Sequence, residues 1–168
     1  KVFAENNLSI IIQEIKDNKP TIAIIDSIQA INNSDLESTS GSVSQVRSCS
    51  SELQQFAKDN NIALLIIGHV TKDGTLAGPK TLEHLVDVVL NFEGDHIASN
   101  RLLRGIKNRF GATFELGIFE MLENGLNEIK NPSSNFTNKE NIAGLATTIT
   151  LEGTRSFAVD IQSLVNKT

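Results

Sequence analysis

At 168 residues the chain is long enough to bury a real core and is expected to form about one domain, with 39% hydrophobic and 21% charged residues, as in soluble globular proteins. No apolar run approaches the ~20 residues needed to span a bilayer. A net charge of −5 excludes a generally basic nucleic-acid binder, so any contact with polyphosphate or DNA must be local.

The opening Lys1-Val2-Phe3-Ala4-Glu5 lacks the regions of a signal peptide, and Val2-Phe3-Ala4 reads as a strand already under way. The sequence is therefore expected to be a fragment cut from a longer protein. Leu8, Ile11, Ile12 and Ile15 follow at helical spacing, with Asn6 or Asn7 as cap and Asn18-Lys19-Pro20 as stop. Thr21–Asp26 is a β-branched apolar run that ends in a carboxylate, and it reads as a parallel strand buried on both faces. Strand, helix and strand together predict a βαβ unit.

A polar segment, Asn32 to Gly41, precedes Ser42-Val43-Ser44-Gln45, which has the form of a capping box. Val43, Val46, Leu53, Phe56 and Ala57 then predict a helix to about Asn60. Ile62–Ile67 reads as a second fully buried strand, ending in Gly68-His69. After the loop Val70–Lys80 comes a short helix, about Thr81 to Asp87. Strands Val88–Glu93, Arg101–Arg109 and Thr113–Met121 are expected to run antiparallel, and Glu123-Asn124-Gly125 signals a further hairpin into Leu126–Ile129. Residues 131–142 read as a linker. Beyond them, Leu145–Glu152 and Phe157–Leu164 alternate around Gly153-Thr154 as a β-hairpin. A single cysteine, Cys49, excludes an internal disulfide and suits a reducing cytoplasm.

Two apolar strands thus end in polar groups, Asp26-Ser27 and Gly68-His69. Open α/β sheets place ligands at the carboxyl ends of their strands. Asp26 there is either the acid that holds a nucleotide's Mg²⁺ through water or the cap of the next turn. His69 is either a group that senses a terminal phosphate or a locally bonded strand-end histidine. Lys107-Asn108-Arg109-Phe110-Gly111 lies in a stretch with no acidic residue from Arg101 to Gly111. On a strand, Lys107 and Arg109 share a face. They suit stabilisation of charge on a transferring phosphoryl group, or they are a solvated pair that guards an edge.

The runs Asp26-Ser27-Ile28-Gln29, Gly41-Ser42-Val43-Ser44-Gln45-Val46-Arg47 and Gly68-His69-Val70-Thr71-Lys72-Asp73-Gly74 resemble RadA/Sms. So do Ala77-Gly78-Pro79, Leu82-Glu83-His84, Lys107-Asn108-Arg109-Phe110-Gly111-Ala112-Thr113 and Leu151-Glu152-Gly153-Thr154-Arg155. RadA/Sms is the bacterial family of RecA-like DNA repair ATPases. The motifs occur in family order over nearly the whole chain.

The resemblance implies an α/β fold: residues 1–130 as the C-terminal part of a RecA-like P-loop NTPase core, a mixed sheet with parallel central strands. It implies a linker over 131–142 and the first hairpin of a Lon-protease-like domain over 143–168. The implied activity is that of a DNA-dependent ATPase promoting branch migration in recombinational repair, with ATP and Mg²⁺ as cofactors and zinc confined to an N-terminal motif outside this sequence. Its implied partners are single-stranded and branched DNA and further copies of itself in a ring, expected to be hexameric, in the cytoplasm and away from membranes. By position, Asp26 organises Mg²⁺ through water with Ser27 beside it, His69 senses phosphate, and Lys107 and Arg109 act as cations on a neighbouring subunit's nucleotide. Arg47, Lys72 and Lys80 are the implied DNA contacts. The sequence holds no G-x-x-x-x-G-K-[ST] phosphate loop, so the chain alone is expected to be inactive. The alternative is a RecA-like DNA-binding or oligomerisation module with no working phosphate loop.

Overall fold

The computed structural model describes residues 1–69, 82–94, 100–113, 115–131, 133, 137, 142–153 and 155–163. They fall into two compact units, Lys1–Val86 and Asp87–Thr168.

In the first unit, helix α1 spans Leu8–Asn18. Asn7 caps it: its side-chain oxygen accepts from the backbone N–H of Ser9 at 3.0 Å and of Ile10 at 3.3 Å. Lys19, in the left-handed conformation, ends it by donating its N–H to the Ile15 carbonyl. Just upstream, the Asn7 and Asn6 N–H groups bond the Glu5 carboxylate and hold its pKa below the ordinary value. Removing the cap leaves two helix donors without their partner. Asn7→Ala is expected to lower stability by about 1 kcal/mol, read as a lower urea midpoint with an unchanged slope.

The expected strand at Val2–Ala4 does not form. Val2 is 96% exposed, and the described pairing of the N-terminal segment is one isolated parallel bridge, Asn7 to Asn32. Two backbone bonds flank it, Leu8 N–H to Asn32 O and Asn32 N–H to Asn6 O. The βαβ unit is instead the next one along. Strand β1, Ile22–Asp26, passes through a 3₁₀ turn at Ile28–Ala30 and helix α2, Val43–Asp59, to strand β2, Ala63–Ile67. The strands pair in parallel, from Ile22 opposite Ala63 to Asp26 opposite Ile67.

Neither strand is buried on both faces as expected. In β1, Ala23 and Ile25 are buried while Ile22 and Ile24 are exposed; in β2, Leu65 is half exposed. A run of isoleucines fixes apolarity, but side chains alternate between faces, and here one face packs against the helices. Leu8, Ile11, Ile25, Ile28, Ile31, Val46, Cys49 and Leu53 form that core, with Leu64, Ile66 and Leu82 packed against it. Burial, with the Glu52 carboxylate adding to it, pushes the Cys49 thiol's pKa up.

Ser42 caps α2 by accepting from the Gln45 N–H at 3.4 Å. The reciprocal half of the capping box is absent: the Gln45 side chain turns inward and is fully buried. Val43, expected in the buried stripe, is half exposed because it is the first helical residue, and Cys49 lies in the stripe instead. The short helix expected at Thr81–Asp87 is a hydrogen-bonded turn over its described residues, with Leu85 and Val86 both donating to the Leu82 carbonyl.

The second unit begins with a four-stranded antiparallel meander in the order β3-β4-β5-β6. These are Val88–Gly94, Asn100–Asn108, Leu116–Leu122 and Gly125–Glu128. The register of β3 against β4 shifts between Val89 and Leu90, which face Lys107 and Gly105, so Ile106 is an extra residue in β4. A separate hairpin pairs β7, Leu145–Glu152, with β8, Arg155–Gln162, across a two-residue connection that includes Gly153 at φ +64°. The N–H of Ala158 in β8 donates to the Ser133 hydroxyl at 3.1 Å.

Candidate functional site

Asp26 and His69 stand at the same edge of the β1–β2 pair. The parallel register places Asp26 beside Ile67, and His69 follows two residues later. Asp26 and His69 are exposed and Ser27 is partly buried; the Asp26–Ser27 peptide bond is cis. A solvent-facing carboxylate at this edge fits Mg²⁺, which keeps several waters and takes only one or two protein carboxylates beside substrate phosphates. No group of three or more His, Cys, Asp or Glu side chains suited to hold a metal by themselves occurs among the described residues.

Gln29 ties this edge together. Its amide nitrogen donates to the His69 carbonyl at 3.1 Å, and Gly68 packs over Gln29 and Ile28. The other end of the amide, Oε1, is buried with no hydrogen-bond partner among the described residues.

Arg47 is exposed on α2 and lines a shallow groove with Val43, Ser44, Ser48 and Glu52. Glu52 accepts from the Asn33 side chain at 3.4 Å in the same neighbourhood, so the groove carries both signs of charge. Lys72 and Lys80 lie outside the described residues. Behind Arg47, the buried Gln45 gathers the segment 32–38. Its oxygen accepts from the Asn33 N–H at 2.8 Å. Its nitrogen lies 3.0 Å from Asn32 Oδ1, 3.0 Å from the Asn33 carbonyl and 2.9 Å from the Ser38 carbonyl.

In the second unit, Lys107 is part-buried near the end of β4, opposite Val89. Arg109 lies just past the strand. Its N–H donates to the Asp87 carbonyl at 3.0 Å, and its Nη1 meets Asp87 Oδ1 at 2.8 Å. Asn108 folds the next residues into a turn by accepting from the Phe110 N–H at 2.9 Å and donating to the Ala112 carbonyl at 3.4 Å. Gly111 serves this turn through space: a Cβ there would stand 3.2 Å from Asn108 Nδ2. Phe110 projects from it, 81% exposed. Gly105 likewise admits the returning chain, since a Cβ would stand 3.1 Å from the Thr113 carbonyl oxygen.

The structure thus brings Asp26, Ser27 and His69 to one edge and holds Lys107 and Arg109 at one strand end. Sequence reasoning missed Gln29, Gln45 and Asp87. Gln45 carried a signal, its place in the capping box, but that signal pointed to the wrong partner. Gln29 and Asp87 carried none, since their partners lie 40 and 22 residues away.

No protein-family model matches the chain. Individual relatives do. It is 54% identical over 99% of its length to the DNA repair protein RadA of Synechocystis, of which it covers 34%. Against the proteins of the same description from Streptococcus pyogenes and Listeria monocytogenes it is 52% and 50% identical over 99% of its length, covering 37% of each. The chain therefore spans little more than a third of these relatives. Among solved structures, the crystal structure of the RadB recombinase is similar at 19% identity, with a TM-score of 0.49 over 73% of this chain and 59% of that one.

Proposed function

This chain is homologous along 99% of its length to the DNA repair proteins RadA, the RadA/Sms family, and on that premise we propose that it supplies part of a DNA-dependent ATPase acting in recombinational repair. The observation that carries the reading is the shared edge of β1 and β2, where Asp26-Ser27 and Gly68-His69 end adjacent parallel strands. In this reading the edge belongs to a RecA-like nucleotide site. Asp26 holds Mg²⁺ through water, Ser27 stands beside it, and His69 reports the terminal phosphate to the loop that follows. When bound, the metal neutralises developing charge on the phosphates. Lys107 and Arg109 reach the nucleotide of a neighbouring copy in a ring, expected to be hexameric, and turnover drives branch migration. The hairpin β7–β8 opens a Lon-protease-like domain.

ATP turnover by a full-length RadA carrying this sequence tests the reading. Turnover that rises with single-stranded DNA is expected. A full-length protein that binds DNA but turns over no ATP would replace the motor with a non-enzymatic RecA-like module. The 168-residue chain by itself, with no phosphate loop in its sequence, is expected to show no turnover.

DNA is proposed to contact Arg47, Lys72 and Lys80 through its phosphates, which position a duplex or strand without reading its sequence. Arg47→Ala is expected to weaken binding about equally for all sequences. It should also reduce the slope of log affinity against log salt by about 1. A titration of fluorescent single-stranded DNA at several salt concentrations reads both. An unchanged slope would remove Arg47 from the interface.

A further inference from the structure

We propose that Asp87 is the positioning residue for Arg109, holding its guanidinium in the pose in which it meets a nucleotide phosphate; the inference rests on the ATPase reading above. Three contacts fix Arg109. Its own N–H is held by the Asp87 carbonyl at 3.0 Å, which adds one more bond to the β3–β4 ladder beyond the Val88–Asn108 pair. The following N–H, of Phe110, is held by Asn108 Oδ1 at 2.9 Å. The backbone is thus anchored on both sides before the side chain is considered. Nη1 then meets Asp87 Oδ1 at 2.8 Å, directly across the ladder.

The energetics favour a geometric role over a stabilising one. Both side chains are partly exposed, 49% for Arg109 and 36% for Asp87, and an ion pair of that kind contributes only about 0–1 kcal/mol to stability. An unanchored arginine, by contrast, carries about 2 kcal/mol of rotamer entropy that must be lost when it meets an anion. Asp87 biases that freedom toward one pose in advance. The observed contact occupies one of the guanidinium's five N–H donors, so the planar fork retains donors for phosphate oxygens. A cation fixed before its anion arrives stabilises transition-state charge without reorganising.

The test uses a full-length RadA carrying this sequence and compares ATP turnover with single-stranded DNA for the wild type, Asp87→Ala, Asp87→Glu, Arg109→Ala and the double variant Asp87→Ala/Arg109→Ala. Asp87→Ala is expected to lower kcat about tenfold with little change in the KM for ATP, since misplacement of a positioned group acts on the reacting geometry. Asp87→Glu recovers part of the loss. The double variant is no slower than Arg109→Ala, because Asp87 acts only through Arg109. Thermal unfolding confirms that each variant folds, and a variant that does not fold is replaced by Asp87→Asn in the same comparison. If Asp87→Ala matches the wild type while Arg109→Ala is slow, Asp87 positions nothing and only this inference fails. A double variant slower than Arg109→Ala by the full factor of Asp87→Ala also overturns it, by showing an independent structural role. Wild-type protein without ATP turnover overturns the ATPase reading itself, and this inference with it.

Discussion

Gln45→Ala is expected to destabilise the first unit by about 3 kcal/mol, seen as a lower urea midpoint for the chain and faster hydrogen exchange at the Asn33 amide. The magnitude follows from what the truncation leaves behind. The side chain is fully buried, and its amide has two hydrogens to share among the oxygens of Asn32, Asn33 and Ser38 while its oxygen takes the Asn33 N–H. Deleting it takes that partner from a backbone donor and at least two acceptors of a part-buried segment. Each such group costs about 1–3 kcal/mol, and water entering the new cavity recovers part of that. Gln45→Glu is the sharper variant. It keeps the acceptor for Asn33 but sets a carboxylate against three oxygens, so it should cost at least as much as alanine. A midpoint unchanged by either substitution would mean that the segment 32–38 is held by something other than Gln45.

On the proposed ATPase reading, Lys107→Ala in a full-length RadA carrying this sequence is expected to reduce DNA-stimulated ATP turnover at least 100-fold while leaving the protein folded. Cations placed on a transferring phosphoryl group are worth about 10³–10⁵ in rate when supplied from a neighbouring molecule, and loss of a single electrostatic donor commonly costs about 10²–10³. Circular dichroism checks the fold and a coupled phosphate-release assay checks the rate. Turnover equal to wild type would take Lys107 out of the site; the edge-strand role that the pattern alone also allows does not apply, since β4 lies between β3 and β5.

Much of the scaffold was legible because its causes are local. The 3.6-residue spacing of Leu8, Ile11, Ile12 and Ile15, the cap at Asn7 and the cap at Ser42 each depend on neighbours within one or two helical turns, and both helices form where these signals place them. The antiparallel meander was legible through alternation and glycine-marked turns. The shared edge of Asp26 and His69 was legible too, since two apolar runs that each end in a polar group align once they pair in parallel. What escaped depends on distant partners. Nothing within a few residues of Asp87 announces that its carboxylate and carbonyl will both meet Arg109. Nor does the sequence near Val2–Ala4 show that this segment will make only the single bridge at Asn7 among the described residues. The degree of burial of β1 was misjudged for a related reason: Ile22 and Ile24 are as apolar as Ile25, and only the packing of helices on one face separates them.

The contact between Gln29 and the His69 carbonyl bears on how the two strand ends are held together. A 3.1 Å tie just beyond the sheet joins the segment after β1 to the residues that follow β2, a cross-link between the two strand ends outside their own ladder. The tie is a single hydrogen bond, and it leaves the far oxygen of the same amide buried and unpartnered among the described residues, so the cost of that orphaned acceptor is set against what the tie contributes.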